Sequence, residues 1–78
     1  MNELILKEMN ENRIIYLYHP NGEEAFGEIE YLFSEKQAHV SRKADNDETG
    51  HFAHKATRKV EECVIKNNLP IKFIQAWN

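Results

Sequence analysis

Cysteine, long apolar runs and excess positive charge are all scarce in this sequence. The one cysteine, Cys63, excludes an internal disulfide and favours a reducing compartment. No apolar run approaches the roughly 18–20 residues of a membrane-spanning helix, and the acidic start MNELILKEMNEN differs from a signal peptide. The formal net charge is −3, so the basic face of a general nucleic-acid-binding protein is not expected. We predict a cytoplasmic protein that binds neither membranes nor nucleic acids.

The composition is that of a folded domain. The 78 residues are 41% hydrophobic and 29% charged, which differs from the composition of disordered segments. No linker, repeat or low-complexity tract divides the chain. We therefore predict one small domain, residues 1–78, near the lower size limit for folding without disulfides or metals.

One segment, Thr49–Asn68, has a clear helical period. Its apolar side chains fall on one stripe: Phe52, Ala56, Val60, Cys63 and Val64. Thr49 or Asp47 is expected to cap the start of this helix, and Asn67-Asn68 is expected to end it in a left-handed conformation. The apolar stripe predicts a helix that covers one face of a sheet.

The rest of the chain has the pattern of strands and turns. Alternating apolar positions, β-branched residues and turn signals predict five strands: Glu3–Met9, Arg13–His19, Glu24–Ser34, Gln37–Lys43 and Leu69–Trp77. Both faces of the second strand are apolar, so it should lie inside the sheet. The order β-β-β-β-α-β predicts an α+β fold, a mostly antiparallel five-stranded sheet with one crossover helix. The last strand would run parallel to the fourth if the two were neighbours.

A single helix leaves one sheet face without a cover. Several aromatic side chains are candidates for that face: Tyr16, Tyr18, Tyr31, Phe33, Phe73 and Trp77. Packing in the core is the alternative for Tyr16, Tyr18, Tyr31 and Trp77. A large exposed aromatic surface is typically buried by a partner. The sequence therefore suggests a homodimer, or a protein partner, at the open sheet face.

Three segments resemble parts of the small stand-alone GNAT-like proteins of bacteria: ENRIIYLY, FGEIEYLF and TGHFAHKATRKVEECVIKNNLPI. The similarity covers roughly residues 11–77. It implies a GNAT-like core in which an antiparallel meander is followed by a glycine-containing loop, a crossover helix and a further strand. It also implies acetyl-coenzyme A as cofactor and transfer of the acetyl group to an amine on a small molecule or a protein.

The loop and first helical turn of that family carry the pattern Q/R-x-x-G-x-G/A. Small residues there let backbone amides approach the coenzyme pyrophosphate at a helix N-terminus. Ala53 matches the last position, whereas Glu48 and His51 stand at the first two. The resemblance implies a cofactor-binding segment of seven residues: Thr49, Gly50, His51, Phe52, Ala53, His54 and Lys55.

Glu28 and Glu30 lie two positions apart on one predicted strand, so their carboxylates share a face. By the resemblance, Glu28 is the candidate general base of the acetyl transfer. The alternative is a solvent-facing strip that protects the sheet.

Two further patterns point weakly to metals. His51 and His54, at i and i+3, could contact a phosphate or a metal, but no third ligand follows at a recognised spacing. The run from Asp45 to Gly50 imitates the start of a calcium loop, but the twelfth position is Ala56 in place of glutamate. We predict no metal.

Two functions remain open. The first is a GNAT-like acetyl-coenzyme A-binding domain with N-acetyltransferase activity on an amine. The second is a non-catalytic interaction module on the same scaffold, which dimerises or binds a protein through its open sheet face.

Overall fold

The structure is a computed structural model that describes residues 1–77 and shows an α+β fold. The elements are β1 (Asn2–Met9), β2 (Arg13–Pro20), β3 (Gly27–Leu32), β4 (Gln37–Arg42), α1 (His51–Ile65) and β5 (Lys72–Gln75). The sheet order is β4-β3-β2-β1-β5, and every neighbouring pair is antiparallel. The predicted class, the five-stranded sheet and the crossover helix are confirmed, and β2 is the central strand as expected.

The position of β5 corrects the prediction. This strand lies at the sheet edge opposite β4, where it pairs antiparallel with β1 and places Phe73 beside Leu4. A parallel β4–β5 pair is therefore absent. The 15-residue helix is about 22 Å long at 1.5 Å per residue. Four strand spacings of about 4.8 Å are a similar distance, so α1 can carry the chain from one edge of the sheet to the other.

The helix is shorter than predicted at both ends. Gly50 has φ 78°, which is left-handed, so α1 begins at the next residue. Asn67 has φ 52° and ends the helical region, which confirms the expected left-handed residue there. β3 also begins later than predicted, at Gly27, and β5 is shorter than predicted. No helix of the described chain is long and apolar enough to cross a membrane.

The core lies between α1 and the sheet. Its buried side chains come from both layers: Leu4, Ile14, Tyr16, Tyr18, Ile29, Tyr31, Ala44, Ala53, Ala56 and Val60. The three tyrosines were candidates for the open sheet face or for the core, and the structure places them in the core. They alternate along their strands with residues of the other face and therefore lie under the helix.

The sheet face opposite α1 carries charged pairs over aliphatic side chains. The Lys7 ammonium lies 2.6 Å from Glu28, and the Arg13 guanidinium bonds to Glu8 at 2.7 Å and to Glu30 at 2.9 Å. Ile15, which pairs with Glu8 and Glu30 in the register, is only 7% exposed. Exposed ion pairs add little stability individually, but here they occupy the face that an aromatic interface was predicted to use.

Candidate functional site

A groove separates the edge strand β4 from the first half of α1. Its volume is about 370 Å³. Seven residues line it: His39, Val40, Lys43, Gly50, Ala53, His54 and Thr57. We call this feature the β4–α1 groove. None of the described residues that line it is acidic, although the chain as a whole has a net charge of −3.

The groove exists because β4 has no strand on its outer side and because the helix wall is built from small residues. A Cβ atom added to Gly50 would meet no atom within 4 Å, so the space in front of it is open. Ala53 is buried at the base of the same wall. The small side chains leave the surface between strand and helix concave.

The start of α1 is capped by Asp47, which is 1% exposed. Its Oδ1 accepts the N–H of Phe52 at 3.2 Å, and its Oδ2 accepts the N–H of Ala53 at 2.9 Å. The Tyr18 hydroxyl donates to Oδ2 at 3.2 Å and accepts the N–H of Ala44 at 3.0 Å. The carboxylate therefore joins the loop, the sheet and the helix. Burial is the main reason that the pKa of Tyr18 is raised to about 12, so the hydroxyl stays a donor at neutral pH.

This cap occupies the donors that a coenzyme pyrophosphate would need. Besides the two N–H groups held by Asp47, the N–H of His51 bonds to Thr49 Oγ1 at 3.3 Å and that of His54 bonds to the Gly50 carbonyl at 2.9 Å. An anion at a helix start is stabilised by free N–H groups and positive potential. Here it would have to displace a buried carboxylate and lie beside its negative charge.

The seven residues predicted to bind the coenzyme are divided between two sides of α1. Three of them line the β4–α1 groove: Gly50, Ala53 and His54. Three others surround Trp77 near the end of β5: His51 and Phe52, with ring centroids at 5.7 and 5.6 Å from the indole, and Lys55, with its ammonium at 5.7 Å. Thr49 acts as a cap. The predicted segment is therefore not one continuous binding surface.

Comparison with protein-family models, curated proteins and solved structures found no match. The functional argument therefore depends on the geometry of this chain, and the GNAT-like relationship stays a prediction.

Glu28, the predicted general base, lies away from the groove. Its neighbour Ile29 faces the helix, so its own side chain is on the opposite sheet face, where the Lys7 ammonium binds it at 2.6 Å. That hydrogen bond is the main reason that the pKa of Glu28 is lowered, against the opposing effect of burial. A lowered pKa makes a carboxylate a weaker base. The structure does not bring Glu28 together with the predicted cofactor-binding residues.

The predicted histidine pair is also separated. His51 stacks edge-to-face on Trp77, whereas His54 lines the groove on the other side of α1. Within residues 1–77, no three His, Cys, Asp or Glu side chains are grouped as a metal site would require.

The free edge of β4 is the feature that the sequence analysis missed. The Ala38 N–H points away from β3 and donates to Glu61 Oε2 of the helix at 3.0 Å. Hydrogen bonds of an antiparallel strand alternate between its two sides. Val40, two residues further on, therefore also directs its N–H and C=O outward, and its side chain is 40% exposed. The polar sequence of this strand was the available signal, because polar residues and lysines are common on edge strands.

A second, smaller cavity of about 210 Å³ lies beside Cys63 at the far end of α1. The thiol is 7% exposed, and burial is the main reason that its pKa is raised. A buried thiol with a raised pKa is a poor nucleophile. Cys63 therefore packs as part of the apolar stripe, as its spacing predicted.

Proposed function

We propose that this chain is a non-catalytic interaction module that holds an extended polypeptide segment in the β4–α1 groove. The observation that carries the proposal is the outward Ala38 N–H on the edge strand β4, which by alternation directs the Val40 backbone outward as well, beside a concave wall of the helix. Extended peptides bind other proteins by adding a strand to such an edge. Main-chain hydrogen bonds supply the affinity in that mode, and pockets for alternate side chains supply the specificity.

The groove fits this mode in two respects. Alternate side chains of an added strand would point toward α1, where Ala53 and Thr57 form the wall, while the others would point to solvent. Glu61 already holds the Ala38 N–H, so the added strand would pair with β4 at Val40, next to the β-bulge at Ser41. The site is therefore an edge and its adjoining groove. An interaction through the open sheet face stays a prediction that nothing here tests.

A homodimer formed through β4 is less favourable than a peptide complex. The segment from Lys36 to Lys43 carries three fixed positive charges, on Lys36, Arg42 and Lys43, and no acidic residue. Antiparallel pairing of two copies would bring these like charges together across the new ladder. A polypeptide of another sequence can pair with β4 without this repulsion between like charges.

Binding of acetyl-coenzyme A, with N-acetyltransferase activity on a GNAT-like core, is the second candidate. The observation that favours it is that Gly50, Ala53 and His54 share the groove with the Lys43 ammonium, which could attract a phosphate. The coenzyme would have to compete with Asp47 for the helix N–H groups.

Acetyl-coenzyme A at 1 mM is expected to leave the melting temperature unchanged, because the buried Asp47 cap blocks the pyrophosphate position. The measurement is a thermal melt with increasing coenzyme, with ATP as a control for general anion binding. Ligand that binds only the folded state at about 100 times its Kd stabilises it by about 2.7 kcal/mol, so real binding would be seen. A rise specific to acetyl-coenzyme A would favour the second candidate.

Val40→Pro is expected to weaken binding of an extended peptide by about five- to tenfold, because it removes an outward N–H donor worth about 1–1.4 kcal/mol. The alternation of hydrogen bonds from Ala38 to Val40 implies that the Val40 N–H is directed away from β3, so proline is expected to remove no hydrogen bond of the β3–β4 ladder. The peptides are selected from a random heptapeptide library on the immobilised protein and measured by fluorescence anisotropy. Val40→Ala is the matched control, since it shortens the side chain but keeps the N–H.

Hydrogen exchange offers a second measurement that does not need the Val40→Pro substitution. In the wild-type protein, hydrogen exchange of the Val40 amide, followed by NMR, is expected to slow when the selected peptide binds. Unchanged exchange, or equal affinity of the proline and alanine variants, would overturn strand addition at this edge.

A further inference from the structure

We infer that the segment bound in the β4–α1 groove is acidic, with a carboxylate side chain held at the Lys43 end. This inference rests on the proposed function and adds the chemistry of the partner. It follows from how charge is distributed along the groove.

The two ends of the groove differ in charge. At the end where β4 leaves the sheet lie Lys43 of the following loop and His54 of the helix. The Lys43 ammonium donates to the Glu48 carbonyl at 3.1 Å and makes no ion pair among residues 1–77, although the loop that follows it also carries the acidic residues Asp45, Asp47 and Glu48. At the other end the Glu61 carboxylate lies against β4, where it accepts the Ala38 N–H.

The neighbouring basic side chains are already engaged. The Arg42 guanidinium lies 4.4 Å from the centre of the Phe26 ring, and His39 Nε2 lies 3.1 Å from Glu30. Lys43 is therefore the fixed positive charge of the groove that has no acidic partner among the described residues. A carboxylate placed there would form a charge-assisted hydrogen bond, which is stronger than a neutral one.

The position of Lys43 at one end of the groove also predicts where along the bound segment the acidic residue lies. Antiparallel pairing is the more stable form of a ladder. An antiparallel segment would place its N-terminal end beside Arg42 and Lys43 and its C-terminal end toward Ala38 and Glu61. The acidic residue is therefore expected early in the segment, before residues that favour extended structure. An acidic residue at the other end would meet the Glu61 carboxylate as well as the Lys36 ammonium, so no net attraction is expected there.

The test uses the random heptapeptide library on the wild-type protein. We expect the selected peptides to share an aspartate or glutamate near the N-terminal end, followed by β-branched residues. Their affinity is expected to fall about three- to tenfold in Lys43→Gln, and raising sodium chloride from 50 to 500 mM should reduce this difference. Lys72→Gln is the matched control, because it removes an exposed lysine from the opposite edge strand, and it should leave affinity unchanged.

A charge reversal tests the position of the contact. Lys43→Glu is expected to lose the acidic peptides and to prefer copies in which lysine replaces the shared acidic residue. Circular dichroism and a thermal melt check that each variant is folded.

The outcomes separate this inference from the function on which it rests. Selected peptides that depend on the Val40 N–H but lack a shared acidic residue, or that ignore Lys43→Gln, would overturn the acidic segment and leave strand addition standing. Selection of no peptide at all, or a stable dimer joined through β4 in sedimentation analysis, would overturn both.

Discussion

Asp47→Ala is expected to lower the free energy of unfolding by about 2–4 kcal/mol, the combined cost of a lost helix cap and of buried donors left without an acceptor. The carboxylate accepts the N–H groups of Phe52 and Ala53 and the Tyr18 hydroxyl, all within 3.2 Å. Asp47 is 1% exposed, so water cannot easily replace it. In a domain of this size the melting temperature should fall by about 8–30 °C.

Urea unfolding followed by circular dichroism measures this effect, and Asp45→Ala is the matched control. Asp45 lies two residues earlier in the same loop and is exposed, so its replacement should change stability by no more than about 0.5 kcal/mol. Asp47→Asn keeps one acceptor oxygen and is expected to lie between the two. Equal stability of the two alanine variants would show that the cap contributes nothing.

The same variant also tests the second functional candidate. Without the carboxylate, the first N–H groups of α1 become available and the negative charge beside them is gone. If the helix start is a degenerate coenzyme site, Asp47→Ala should bind acetyl-coenzyme A better than the wild type. No gain would leave that candidate without support from the geometry.

The local patterns of the sequence predicted the elements well because each pattern depends on neighbours along the chain. The stripe that includes Ala56 and Val60 identified α1, and the doubly apolar β2 identified the centre of the sheet. The ends of α1 were harder to place. Gly50 lies between a capping residue and the helix, and only its φ of 78° excludes it from the helix.

Strand order was not predictable from these patterns, because pairing of β5 with β1 joins the two ends of the chain. Sequence patterns also could not show which face of β2 lies under the helix. Tyr16 and Tyr18 alternate with Ile15 and Leu17, and either set satisfies the pattern of a buried face. Only the position of the helix decides that the tyrosines are enclosed. The three tyrosines are therefore absent from the open sheet face, whereas binding through that face stays a prediction.

The candidate site was unpredictable for a related reason. A groove between β4 and α1 requires that β4 be an edge strand, which is a property of the whole sheet. The glycine-containing loop and the Asp47 cap were correctly placed at the helix start, but the sequence did not show that the Asp47 carboxylate would be buried there. Side-chain contacts across a loop depend on its backbone course, which residue spacing does not fix.

Gly27→Ala is expected to cost about 3 kcal/mol or more, because it overpacks an enclosed site that cannot relax. An added Cβ atom would overlap the Tyr18 ring and lie 2.5 Å from the Arg42 carbonyl oxygen. The ring cannot move aside easily, since its hydroxyl is held by Asp47 and by the Ala44 N–H. The carbonyl belongs to the backbone of β4, so relief there would disturb the ladder.

Gly50→Ala is the comparison that separates overlap from backbone strain. Its Cβ would meet no atom within 4 Å, so the cost is limited to the left-handed conformation, about 1–2 kcal/mol. Urea unfolding should therefore rank Gly27→Ala as the more damaging change, and the reverse order would contradict the packing argument. If Gly27→Ala is too unstable to purify, the loss of soluble protein relative to Gly50→Ala gives the same ranking.

Gly27 and Asp47 both contact the Tyr18 side chain. The losses of unfolding free energy caused by Gly27→Ala and Asp47→Ala should therefore not be additive. The alanine at position 27 pushes the Tyr18 ring, and the alanine at position 47 releases its hydroxyl. A ring freed from Asp47 can move away from the new methyl group, so the double variant should be more stable than the sum of the single losses predicts. Coupling of about 0.5–3 kcal/mol is expected for residues that share a partner. Strict additivity would mean that Tyr18 does not connect the glycine in β3 to the start of α1.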